Sequence, residues 1–153
     1  MQACTIYMNE THVVIYCKHD VAKVGYCYFD PLVKLERSKT TVKSLGRTVL
    51  DVLNASVEFK SIEDFKGVMD FKAGTQIMVT FAGFKTWGAF ANAVDSTCYL
   101  LADEKQVTIT PAFREGRGFL GDHKGVVTCM RTVESLGKAL FGALKIEQDN
   151  SSA

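Results

Sequence analysis

The chain has 153 residues, 47% hydrophobic and 23% charged, with only two prolines. It is long enough to bury one core without a metal or disulfide and too apolar for a disordered chain. Eighteen lysines and arginines face seventeen aspartates and glutamates, and the net charge of +1 shows none of the basic excess usual in a nucleic-acid binder. No apolar run nears the roughly 18 residues of a membrane span. Met1-Gln2-Ala3-Cys4-Thr5 carries neither the basic stretch nor the apolar block of a signal peptide, so a cytoplasmic protein is expected.

Along the chain, His12-Val13-Val14-Ile15-Tyr16-Cys17 is short, apolar and β-branched, and reads as a strand. Lys18-His19-Asp20 is a polar break. Residues 21–29 form a second, antiparallel strand, ended by Asp30-Pro31 because proline lacks the ladder donor. Residues 41–53 change period: Val42, Leu45, Val49, Val52 and Leu53 recur at helical spacing, with Thr40 or Thr41 as N-cap and Asn54 at the exit. Ser61-Ile62-Glu63-Asp64 has the acidic first turn of another helix, continued by Phe65, Val68 and Met69 and closed by Ala73-Gly74. Residues 76–81 alternate like a strand and are also compatible with a helix. In residues 86–94, Trp87, Phe90, Ala91 and Val94 have helical spacing, but the aromatic and glycine content leaves the state open. Residues 97–101 and 106–110 form a hairpin around Ala102-Asp103-Glu104-Lys105. Pro111 ends its second strand. Residues 112–125 are then a long glycine-bearing loop, residues 126–130 a further strand and residues 132–144 a final helix. The fold class is α+β: one antiparallel sheet flanked by several helices, a single domain over 1–146 with a polar, mobile tail at 147–153.

The two best helices repeat each other. Thr41-Val42-Lys43-Ser44-Leu45-Gly46-Arg47 returns as Thr132-Val133-Glu134-Ser135-Leu136-Gly137-Lys138. A glycine inside a helix costs about 1 kcal/mol relative to alanine. Gly46 and Gly137, at equivalent positions, therefore imply close approach of a neighbouring backbone.

The residues offer little catalytic chemistry. Gly116-Arg117-Gly118-Phe119-Leu120-Gly121 matches G-x-G-x-x-G, but the fingerprint works only between a strand and a helix N-terminus, and no helix fits before the strand at 126. Cys4, Cys17, Cys27, Cys98 and Cys129 form no C-x-x-C pair and read as reduced, packed thiols. His12, His19 and His123 stand at no metal spacing, and no paired carboxylates suggest acid–base work. No catalytic residue, cofactor or metal is expected, although a cysteine and a histidine brought together by folding would make a small thiol enzyme. Phe81, Phe84, Trp87 and Phe90 read as core. Phe113 and Phe119, beside Arg114, Glu115, Arg117 and Asp122, have the aromatic–arginine composition of interface hot spots. With Asp103 and Glu104 in the hairpin turn they are the expected contact residues.

The order of these features resembles bacterial immunity proteins of contact-dependent growth inhibition systems. A β-rich start ends in Asp30-Pro31, and an S-L-G-x-x-[LV] helix follows at 44–49. Gly83-Phe84-Lys85-Thr86 and Ala89-Phe90 come next, then Thr108-Ile109-Thr110-Pro111, a glycine-bearing loop and a second S-L-G helix at 135–144. The resemblance spans roughly residues 11–144. It implies an antiparallel sheet flanked by helices. It also implies stoichiometric binding of a toxin C-terminal domain delivered by a neighbouring cell, with occlusion of its active site or substrate surface and no enzymatic activity. Many such toxins are nucleases. It carries over no contact residues. The alternatives are the small cysteine enzyme and a generic oligomeric interaction domain.

Overall fold

The computed structural model describes residues 1–66 and 74–147. Val68, Met69, Ala73 and tail residues 148–153 lie outside them. Strand β1 (Gln2–Met8) went unrecognised in the sequence for a physical reason. It lies inside the sheet with residues 3–8 buried on both faces, so it shows no alternation. The Asn9 side chain builds the turn that follows, its Oδ1 accepting from the Thr11 and His12 N–H groups at 2.9 and 2.8 Å.

Strand β2 (His12–Val21) runs through the expected break, because Lys18, His19 and Asp20 pair with Tyr28, Cys27 and Tyr26 of β3 (Gly25–Glu36). The turn falls instead at 22–24, where Lys23 has φ 67° and Gly25, just after it, φ 105°. β3 also continues past Pro31. The register shifts between Tyr16 and Lys18, so Pro31 stands in the irregularity, on a strand whose other edge is open, and no ladder bond needs its nitrogen. The Asp30–Pro31 bond is cis.

Helix α1 (Val42–Ala55) starts where expected: Thr41 accepts from the Ser44 N–H, and the Ser44 hydroxyl accepts from the Thr41 N–H. Short β4 (Glu58–Phe59) and α2 (Ile62–Lys66) follow. Both segments left open are helical: α3 (Gly74–Phe81) and α4 (Trp87–Ala93), the latter capped by Thr86. Strands β5 (Ser96–Ala102) and β6 (Gln106–Glu115) form the expected hairpin.

The long loop at 112–125 is not there. β6 passes through Pro111 and returns as β7 (Gly118–Gly121) by a two-residue turn whose first residue, Gly116, has φ 58°. Pro111 is tolerated because its carbonyl, which accepts from the Asp122 N–H, points outward. The missing N–H would point the same way, into the gap between β7 and β8 (Val127–Met130). Helix α5 (Val133–Leu144) closes the described chain.

The strand order is β3-β2-β1-β5-β6-β7, antiparallel throughout, with β8 on the first half of β6. The two-residue β4 adds parallel to β2 beyond the end of β1. On one face Ile6, Ile15, Leu100 and Ile109 meet Leu45, Val49, Leu53, Leu136, Leu140 and Leu144 of α1 and α5, all buried. Val42 and Val133, the first residues of the two helices, are mostly but not fully buried. On the other face Tyr7, Val14 and Tyr16 meet Met78, Val79 and Phe90, with Phe81, Phe84, Trp87 and Phe119 around them. The expected aromatic core is this second layer.

Gly46 and Gly137 each lie against a neighbouring backbone. A Cβ on Gly46 would stand 2.0 Å from the Val133 carbonyl oxygen, and one on Gly137 would stand 2.1 Å from that of Val42. The repeat in the sequence is thus a reciprocal helix crossing in the fold.

Candidate functional site

The sequence-chosen contact residues separate into two places. Asp103 and Glu104 sit in the β5–β6 turn. Asp103 Oδ1 accepts from the Lys105 and Gln106 N–H groups at 2.8 and 2.7 Å, and these bonds hold its carboxyl below the usual carboxylate range. Arg131 donates to the Asp103 carbonyl at 2.6 Å and to Asn54 Oδ1 at 2.7 Å, and also reaches Gln2. Asp103 is therefore occupied in building the turn, while Glu104 is exposed.

The other six lie in or beside the β6–β7 hairpin, at the far end of a ten-residue strand, some 30 Å away at a rise of about 3.3 Å per residue. Phe113, Arg114, Phe119 and Asp122 line one groove of about 700 Å³ between the hairpin and the C-terminal half of α5. Phe113 is half exposed at 50%, and Leu120, its cross-strand partner, at 49%. Val126 and Val127 add further exposed apolar surface nearby. Arg114 is tethered, donating to Asn92 Oδ1 of α4 and to the Gly116 carbonyl, both at 2.9 Å. Asp122 caps the short 3-10 turn His123–Gly125 by accepting from the Lys124 N–H. Phe119 faces inward, edge-on to Tyr7 and Trp87 at 5.5 and 6.3 Å. Its carbonyl accepts from the Tyr99 hydroxyl, and the neighbouring Arg117 carbonyl accepts from the Trp87 indole N–H. Glu115 and Arg117 project from the tip.

A second groove, of about 1060 Å³, went unseen in the sequence. It lies at the α1–α5 crossing and is built by the repeat: Val42, Lys43 and Arg47 line it from one copy, and the equivalent Val133, Glu134 and Lys138 from the other. Arg37, Lys39 and Lys145 bring its cations to six against two carboxylates, Glu134 and Glu147. On a chain of net charge +1, that local excess of four leaves the rest at net −3. Lys138 and Lys145 line both grooves, so α5 is the ridge between them. The repeat was the available signal. The charge was hidden because its six members are spread over residues 37–145.

Folding does bring a cysteine and a histidine together: Cys27 stands opposite His19 across β2 and β3. The pair is not poised for thiol chemistry. His19, 3% exposed, accepts the Val57 N–H at Nδ1, so Nε2 carries the proton it gives to the Asp30 carbonyl at 2.9 Å. Neither nitrogen is left to deprotonate the thiol. Burial raises the pKa of all five thiols, Cys17 and Cys98 to about 12, the opposite of activation. Among the described residues no three of His, Cys, Asp or Glu converge as metal ligands do, and no helix is long and apolar enough to cross a membrane.

Two solved structures share this architecture over almost their whole length. A protein of unknown function from Neisseria meningitidis superposes with a TM-score of 0.79 at 20% identity, covering 96% of this chain and 95% of that one. A chain of the CdiA-CT/CdiI toxin and immunity complex from Yersinia pseudotuberculosis superposes with a TM-score of 0.64 at 17% identity, covering 94% and 95%. No protein-family model and no curated protein matches the sequence. The fold is thus shared with a chain of a toxin and immunity complex, at an identity where the backbone is held by its packing pattern.

Proposed function

We propose that this chain is an immunity protein. It binds one toxin C-terminal domain of nuclease type, delivered by a neighbouring cell, and neutralises it in the cytoplasm by covering its active site or substrate surface. The observation that carries this reading is the full-length likeness to a chain of the CdiA-CT/CdiI complex. It agrees with the order of motifs along the sequence. The surface at the β6–β7 hairpin supports the reading. Phe113 and Leu120 stand half exposed beside a groove, with Arg114, Asp122 and the α5 lysines at its rim, an apolar centre with a polar edge. The thiol-enzyme reading is disfavoured by the engaged imidazole of His19 and by the raised thiol pKa values.

The test is protection. Cells expressing a candidate cognate toxin domain, sought first among the genes that neighbour this one, should survive when this chain is co-expressed and die when an unrelated immunity protein replaces it. Equal killing in both cases would contradict the proposal.

A further inference from the structure

We infer that the basic groove at the α1–α5 crossing holds an acidic polypeptide segment of the toxin domain, outside that domain's nucleic-acid cleft. The inference rests on the immunity reading and assigns it a second contact. Six of the chain's eighteen lysines and arginines line this groove, against two carboxylates. Of its six cations, Arg37 pairs with Asp95, Lys39 with Glu36 and Lys138 with Glu134. Among the described residues, no ion pair holds Lys43, Arg47 or Lys145. Three unneutralised cations around one concavity repel the basic cleft of a nuclease and attract carboxylates, raising the encounter rate with an acidic surface.

A nucleic acid fits this groove less well than a peptide does. The rest of the chain is net negative, so a long polyanion is repelled as soon as it leaves the groove. The floor is aliphatic (Val42, Val133, Ile146), and its one ring, Phe141, is buried, which offers bases no stacking platform. Apolar floor and cationic rim suit a short acidic segment with an apolar side chain among its carboxylates. Since α5 separates this groove from the apolar one, a single partner can straddle the helix, anchored on one side and steered on the other.

The test uses the full chain and the variant Lys43→Glu/Arg47→Glu/Lys145→Glu, whose three changes are all at exposed positions. A Gln triple serves in its place if the Glu triple does not fold by circular dichroism. Two probes are titrated at low salt: a fluorescent octaglutamate peptide and a short single-stranded RNA of similar charge. The peptide should bind the wild type, bind the variant about tenfold or more weakly, and outcompete the RNA. Tighter RNA binding, or peptide binding that ignores the variant, overturns the inference. The third titrant is the toxin domain against which this chain protects cells, inactivated in its catalytic site. Its association rate should fall about 30-fold in the variant and lose most of its salt dependence between about 50 and 300 mM. Binding equally fast to both proteins overturns the groove assignment and leaves the immunity reading intact. Failure to bind even the wild type overturns the immunity reading itself.

Discussion

At Gly46 the distance from a built Cβ to the Val133 carbonyl oxygen is 2.0 Å, and the obstructing atom is backbone. Alanine there should gain about 1 kcal/mol of helix propensity and lose more by forcing the helices apart, for a net cost of about 1–3 kcal/mol. Gly137→Ala acts on the same crossing, so the double variant should cost less than the two singles added, as read from urea midpoints. Full additivity would mean that the glycines report on separate contacts. His19 offers a second test at this scale. His19→Phe keeps a ring among Phe29 and Phe59 but leaves the Val57 N–H and the Asp30 carbonyl without their partner. The expected loss is about 1–3 kcal/mol, and an unchanged midpoint would show that water replaces the ring. The glycine contacts were legible because a repeated, costly residue needs a packing reason. The role of His19 was not, since its partners Val57 and Asp30 lie in other elements.

Among the elements, helices α1 and α5 were the easiest to read, because one buried stripe against one exposed face writes itself as a period. β1 is covered on both faces and writes none. α3 and α4 are only eight and seven residues long, too short to show a clear helical period: α3 buries Met78 and Val79 while Ile77 stays exposed, and α4 buries Phe90 and Ala91 while Gly88 and Ala89 stay exposed. Pro31 and Pro111 misled for a common reason. Proline excludes a ladder bond only where one is needed, and both stand where the neighbouring strand is missing or slipped. The β6–β7 hairpin carries a prediction that separates its two phenylalanines. Phe119→Ala removes a ring packed on Tyr7 and Trp87 and should cost about 1–3 kcal/mol. Phe113→Ala removes a half-exposed ring and should stay within about 0.5 kcal/mol. If Phe113→Ala weakens toxin binding at unchanged stability, the hairpin is a docking surface; equal stability losses in both variants would refute the assigned orientations.

For the whole molecule, the buried thiols and tyrosines set an alkaline limit. Burial raises Cys17 and Cys98 to about 12, and raises Cys4 and Tyr7 as well, Tyr7 further through neighbouring Tyr28. Thiols in the unfolded chain ionise near about 8.5. Above that pH the folded chain holds more protons than the unfolded one, so stability falls as pH rises. This contribution is fully present below about 8.5 and lost toward 12. The urea midpoint should drop between about pH 7.5 and pH 10.5; a constant or rising midpoint would contradict the burial of these groups. The site was less legible than the fold. Composition pointed to contact residues in what reads as a loop at 112–125, but only folding makes that segment a hairpin, collects the six groove cations from a near-neutral chain and turns Phe119 inward. The proposed neutralisation by stoichiometric binding is tested most directly by titrating the activity of the toxin domain against which this chain protects cells. Activity should fall linearly to zero at one equivalent of this chain; activity that persists through a large excess would overturn the proposal.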